Sequence, residues 1–222
     1  MKLRNLLLTL TLAVSVTSCG ISNNLTDDTL SKISAVSVNK EITGAKYASY
    51  YGAAENAAFA LGGVIGAAAS TDSNMSKGQM LTLALEKNHI DVRAKYYQRF
   101  LQKVGQNPLF KGKLVRSGAG ETAVFQLEVY KYGLYASGPF SSKMEPEVGI
   151  RATLTDKQGN KLWTNFAYVS ALNFSGYEYT IDEYMKDPAK LSAAYDAALD
   201  KAVNTLVGKL KLAMLKGEIR QG

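Results

Sequence analysis

The chain has 222 residues, 46% of them hydrophobic and 20% charged, with a formal net charge of +7. That length and apolar content suit one domain with a substantial core. One histidine, His89, and one cysteine, Cys19, exclude a zinc site of histidines and cysteines within a single chain, and lysines and arginines scattered without a run give no basic patch for nucleic acid.

At the N-terminus Lys2 and Arg4 precede an apolar run from Leu6 to Val16, and Thr17, Ser18, Cys19 and Gly20 cut that run short of the ~20 residues a transmembrane helix needs. The segment reads as a signal peptide over residues 1–18. Val16-Thr17-Ser18-Cys19 resembles the bacterial lipobox, in which small residues precede a cysteine that is diacylated, becomes the mature N-terminus and is acylated again. The resemblance implies a lipid-anchored protein of the cell envelope. Gly20 stands where an aspartate retains such proteins at the inner membrane, so the resemblance also implies the outer membrane, facing the periplasm. Two or three acyl chains, at about 0.8 kcal/mol per buried methylene, hold a protein to a bilayer far more firmly than one myristoyl chain. With Cys19 acylated no thiol is left for a disulfide, and stability must come from packing.

Residues 19–32 follow as a lipidated tether, polar through Asn23, Asn24, Asp27 and Asp28, and the domain proper is expected over 33–222. Ile33 to Val38 is β-branched and reads as a first strand. Ala45 to Ser70 is rich in alanine, glycine and tyrosine, and Tyr47, Tyr50, Ala54, Ala57, Ala58, Leu61 and Ile65 recur at helical spacing. Within it Gly62 and Gly66 are in a small-xxx-small register that permits close helix contact. One reading is an oligomerising or membrane-inserted face; the other, favoured by the short apolar stretch, is a helix packed in the core.

Gln79 to Lys87 reads as a helix, and a second follows, capped by Asp91, apolar through Val92, Tyr96, Phe100 and Val104, and ended by Gly105. From Lys113 the period changes to two. Lys113 to Ser117 is a short candidate strand. Thr122 to Ser137 is a long one in which Ala123, Phe125, Leu127 and Val129 share a face. Val148, Ile150, Ala152 and Leu154 alternate in the next strand, Asp156 to Asn160 has turn chemistry, and Leu162 to Leu172 returns as a hairpin partner. Asp187-Pro188 opens a long amphipathic helix whose stripe runs from Leu191 through Ala194, Tyr195, Leu199, Val203 and Leu206 to Leu210. The expected fold is α+β, an antiparallel sheet of about four to five strands packed against helices that include this C-terminal one.

The hairpin Val148 to Asp156, Gly159-Asn160-Lys161-Leu162-Trp163, followed by a long alanine-rich helix, resembles the periplasmic lipoproteins of the curli secretion and penicillin-binding-protein activator type over the second half of the chain. The resemblance implies a small domain that binds or assembles and does not catalyse. It carries over no functional residue.

The residues themselves hold little that reads as catalysis. His89 with Asp91 could belong to a Ser-His-Asp triad, but no G-x-S-x-G elbow accompanies them. Gly118 to Ala123 matches G-x-G-x-x-A, yet it leads into a strand, so a turn is expected there and not a nucleotide cradle. Glu145 and Glu147 around Pro146, and Asp182-Glu183, read as solvated acids, and Thr180 with Glu183 reads as a capping box. Neither metal nor cofactor is expected. Tyr130, Tyr132 and Tyr135 cluster in one strand region and Tyr168, Tyr177, Tyr179 and Tyr184 in another; one reading is a recognition surface, with Tyr130, Tyr132 and Tyr168 as its candidates, since rigid aromatics bring large contact area at low entropy cost, and the other is rings that shield a sheet face while their hydroxyls stay wet. The expected role is a non-enzymatic accessory lipoprotein, held to a membrane by its lipid and binding an envelope protein or the cell wall; the alternative is a homo-oligomeric, membrane-associated or pore-like assembly through Gly62 and Gly66.

Overall fold

The computed structural model describes residues 22–23, 25–52, 75–138 and 140–219. In chain order these form β1 (Ser22–Asn23), α1 (Asp27–Ser31), β2 (Val36–Val38), β3 (Thr43–Gly44), β4 (Ser49–Tyr51), α2 (Lys77–Lys87), α3 (Val92–Gly105), β5 (Ala123–Ala136), β6 (Lys143–Asp156), β7 (Lys161–Val169), β8 (Tyr179–Thr180), α4 (Ile181–Lys186) and α5 (Pro188–Ile219). Cys19, Gly62 and Gly66, with the expectations placed on them, lie outside the described residues.

The fold is α+β, but the sheet is mixed rather than antiparallel and has eight strands among the described residues. Its centre is the expected meander of β5, β6 and β7, each antiparallel to the next. The difference lies at the edge: β2, β3 and β4 pair in succession along β5, all parallel to it. A parallel pair needs a crossover connection, and α2 and α3 lie in the one between β4 and β5. β2 falls within the strand expected over Ile33 to Val38, whereas β3 and β4, of two and three residues, are too short for alternation to announce them. The expected strand at Lys113 to Ser117 shrinks to one bridge, Leu114 with Val36.

Two further expectations are corrected. The stretch read as a tether is part of the fold from Leu25 onward: Leu25 and Leu30 are buried, and Ser22–Asn23 pairs with Trp163 and Thr164 of β7. The helix expected from Ala45 does not begin there, because Ser49–Tyr51 is β4. Local bonds favour the extended form: the Ala48 amide donates to Thr82 Oγ1 at 2.8 Å, Ala45 donates to the Val129 carbonyl at 2.8 Å, and Arg93 Nη2 donates to the Ala45 carbonyl.

The helices start where capping chemistry places them. Ser76 and Gln79 close a capping box on α2, Asp91 accepts from the amides of Arg93 and Ala94 at α3, and Thr180 with Glu183 closes the expected box on α4. The stripe of α5 from Leu191 to Leu210 is buried, as are Phe125, Leu127, Val148, Ile150, Leu154 and Trp163 on the inner sheet face. At about 1.5–3 kcal/mol for each large apolar side chain taken fully out of water, this layer is the principal source of stability. Phe125 sits at its centre with Phe100, Phe110 and Trp163 edge-on at centroid distances of 5.1, 5.4 and 6.4 Å. α3 is held to α5 by Lys95 and Arg99 on Asp196, at 2.8 and 2.6 Å, and by Arg99 on Asp200 at 2.8 Å.

Candidate functional site

Alternation along β5, β6 and β7 leaves a second face of the sheet, turned away from the helices, and its chemistry centres on β6. Glu147 stands opposite Gly133 of β5, and Gly133 stands opposite Ser49 of β4. Because Gly133 has no side chain, Ser49 reaches across it, and its hydroxyl donates to Glu147 Oε2 at 3.0 Å. A Cβ at Gly133 would overlap the Ser49 carbonyl oxygen. Lys131 Nζ lies 2.9 Å from Glu147 Oε1, and the Tyr168 hydroxyl of β7 donates to the same oxygen. Glu147 is therefore buried, 1% exposed, with three donors around its carboxylate. This corrects the expectation that acids flanking Pro146 would be solvated.

The electrostatics follow from that arrangement. Burial, together with the hydrogen bond and charge of Glu147, pushes the Tyr168 phenol up to about 12. Desolvation acts to lower Lys131, but the hydrogen bond and charge of Glu147 outweigh it and raise the ammonium above its ordinary value. Both donors keep their protons throughout the neutral range. Lys131 also lies 5.0 Å from the Tyr51 ring centroid and 5.8 Å from that of Tyr168, and Tyr51 lies 5.6 Å from Tyr135. The result is a patch of three partly exposed tyrosines, Tyr51, Tyr135 and Tyr168, fixed around one neutralised ion pair.

Glu145, two residues earlier, is equally buried but differently placed. Its Oε1 has no hydrogen-bond partner among the described residues, and burial followed by repulsion from Glu178 pushes its carboxyl up to about 7. The charge of Glu145 therefore changes near neutrality.

The three tyrosines singled out from the sequence do not share one surface. A bulge between Val129 and Lys131 shifts the register, so Tyr132 turns to the inner side, is 7% exposed, and directs its hydroxyl at the Lys46 carbonyl at 3.5 Å. Tyr130 is half-buried and lays its ring across Gly149, where a Cβ would stand 2.5 Å from it. Of the three, Tyr168 alone is exposed. Tyr135, clustered with Tyr130 and Tyr132 in the sequence, does reach this face, four residues from Lys131 on the same strand, whereas Tyr51 lies in a stretch whose spacing reads as a helix.

His89 has a left-handed backbone, φ 56°, and lines a cavity of about 400 Å³ with Thr82, Asp91, Arg93 and Tyr132. The described lining residues include no serine. The Asp91 carboxylate is engaged in capping, at 3.0 Å from both amides, and the Thr82 hydroxyl donates to the Gly78 carbonyl at 2.9 Å while accepting from Ala48. No nucleophile is brought to His89 by these residues. Among the described residues no group of three or more histidines, cysteines or acids is placed to hold a metal ion, and no helix is long and apolar enough to cross a membrane. The glycines at Gly118 and Gly120 have φ of 83° and 80° in a turn that ends before β5, as expected, and form no helix N-terminus.

No family model matches the chain, and no curated protein matches it. Solved structures similar to it include the following two. One is a Xanthomonas campestris protein of the DUF330 family, at 14% identity and a TM-score of 0.39, with 59% of this chain and 66% of that chain covered, so the chain spans just under two thirds of its length. The other is the Neisseria meningitidis lipoprotein GNA1162, at 14% identity and a TM-score of 0.25, with 72% of this chain and 95% of that chain covered.

Proposed function

We propose that this chain is a non-catalytic accessory component of the cell envelope, lipid-anchored at Cys19, that binds an envelope protein or the cell wall through the outer face of its sheet. The observation that supports the binding role is the fixed tyrosine patch. Glu147 holds Lys131, Tyr168 and Ser49 in one geometry, so Tyr51, Tyr135 and Tyr168 present their rings with little conformational entropy left to lose on contact. The ion pair inside the patch is already compensated, which leaves ring faces and phenol edges as the recognising groups. What supports the anchor is the lipobox resemblance at Val16 to Cys19.

The test places a photo-crosslinking amino acid at Tyr51, Tyr135 or Tyr168 in intact cells, with Gln102 on the exposed side of α3 as the comparison site. Discrete adducts from the tyrosine positions and none from Gln102 are the expected result. Identical adduct patterns from all four positions would remove the outer face from the binding role. The anchor is tested separately by the intact mass of the processed polypeptide, which must carry acyl chains on Cys19.

A further inference from the structure

The structure shortens the tether. With Ser22–Asn23 paired to β7, only Gly20 and Ile21 lie between a lipidated Cys19 and the sheet. The three Cα steps from Cys19 to Ser22 span at most about 10 Å, so with Cys19 lipidated the side of the domain that carries β1 must lie close to the bilayer. The direction of arrival is set by register: β1 is antiparallel to β7, with Ser22 opposite Thr164 and Asn23 opposite Trp163. β1 therefore starts on its Val169 side, and beyond Thr164 that edge of β7 has no strand partner among the described residues.

That edge and end differ from the rest of the surface. Phe140, in the β5–β6 hairpin tip, and Leu172, in the loop after β7, are fully exposed, at 103% and 96%, and Phe166 on β7 is exposed as well. An open cleft of about 990 Å³ joins the hairpin tip to that loop and extends to Tyr51 and Tyr135 of the outer-face patch, and none of its described lining residues carries a charge. Two lysines of α5 border the same edge. Lys209 donates to the Phe166 carbonyl at 2.7 Å with its ammonium 5.0 Å from the ring, and Lys201 donates to the Asn173 carbonyl, its ammonium 5.9 Å from the Phe174 ring. Each ammonium has further donors available. The opposite end of the sheet is polar: the β6–β7 turn carries Asp156, Lys157, Gln158 and Asn160.

We infer that the free edge of β7, the loop after it and the tip of the β5–β6 hairpin rest on the bilayer, with Phe140, Leu172 and Phe166 at the apolar boundary and Lys201 and Lys209 at lipid phosphates. Apolar tips beside cations are the pairing an interfacial surface requires. The hairpin runs past the end of β7, since Val169 pairs with Val148 while β6 begins at Lys143. For anchor and tip to meet one plane, the sheet stands on its β7 edge with its strands oblique to the membrane. The outer face then looks sideways, with its Tyr51 and Tyr135 end next to the headgroups, where a partner seated in the same membrane can reach it.

This rests on the lipid-anchored reading, and the experiment separates the two. The full lipidated chain is prepared with one new thiol, Leu172→Cys or Phe140→Cys, or Gln158→Cys or Gln102→Cys for comparison; acylation of Cys19 leaves the new thiol as the one that takes an environment-sensitive dye. In vesicles of phosphatidylethanolamine and phosphatidylglycerol, a spin-labelled lipid with its nitroxide near the headgroup is expected to quench the dye several-fold more at 172 and 140 than at 158 or 102. Equal quenching at all four sites, or stronger quenching at 158 or 102, with Cys19 shown by mass to be acylated, overturns the surface and leaves the anchor standing. A processed chain without acyl groups overturns both.

Discussion

Replacing Glu145 by glutamine tests the most unusual electrostatic feature of the fold. Its carboxyl is buried with Oε1 unpartnered and is pushed from 4.5 up to about 7, by burial first and then by Glu178. At 1.36 kcal/mol per unit the difference between folded and unfolded chains is on the order of 3 kcal/mol. The sign follows from proton counting: between 4.5 and about 7 the folded chain binds more protons than the unfolded one, so stability falls as pH rises. The contribution is fully present below 4.5 and is lost as pH passes through about 7. Glutamine keeps the shape and cannot ionise. Urea unfolding of both proteins across the acidic to mildly alkaline range should give similar stabilities at the acid end and an advantage of up to about 3 kcal/mol for Glu145→Gln at the alkaline end. Parallel profiles would refute the reasoning, because the difference between the two proteins isolates this one group from every other titration.

Three other outcomes follow from the same geometry. Gly133→Ala should lose about 1–3 kcal/mol in the urea midpoint, since its Cβ meets the backbone of Ser49, whereas Gly138→Ala, where the nearest atom is 3.9 Å away, should be nearly silent. Glu147→Gln should bring the Tyr168 phenol part of the way back from about 12 toward 10.0 in a spectrophotometric titration; an unchanged value would mean that burial alone raises it. Asp91→Ala should cost about 1 kcal/mol by removing the acceptor for the Arg93 and Ala94 amides, seen as a lower unfolding midpoint with an unchanged far-ultraviolet spectrum.

The elements most legible in the sequence are those whose pattern runs long enough to average out exceptions. Three to four turns of α3, the meander of β5 to β7 and the stripe of α5 were all readable from period and caps, because each repeats one burial demand many times. What escaped is local or relational. β3 and β4 have two or three residues each and exist because β5 offers them a parallel edge, which is a property of a distant strand, and the parallel pairing of the expected strand at β2 depends on the same edge. The register shift at Val129/Lys131 turns Tyr132 inward, and one inserted residue leaves no mark in an apolar-polar pattern already crowded with amphipathic tyrosines. Glu145 and Glu147 looked solvated because burial of an acid depends on what lies opposite it. Gly133, Ser49 and Tyr168 are what take Glu147 out of water, and they come from three separate strands.

The short tether also limits what the outer face can bind. A domain on a long, free linker samples all orientations and can reach partners well away from the bilayer, with an effective concentration that falls as the linker lengthens. A link of two residues, Gly20 and Ile21, removes that freedom, and a sheet standing on its β7 edge directs Tyr51, Tyr135 and Tyr168 along the membrane plane. The partner would then have to present its own surface at the same height, as a membrane-seated envelope protein does, whereas a cell-wall layer held away from the bilayer would face the charged end of the sheet. The two partner classes thus separate on geometry. Inserting a flexible glycine-serine segment after Ile21 should weaken crosslinking from the tyrosine positions if the partner is membrane-seated and strengthen it if the partner is the wall; no change in either direction would show that the tether does not set the orientation of this face.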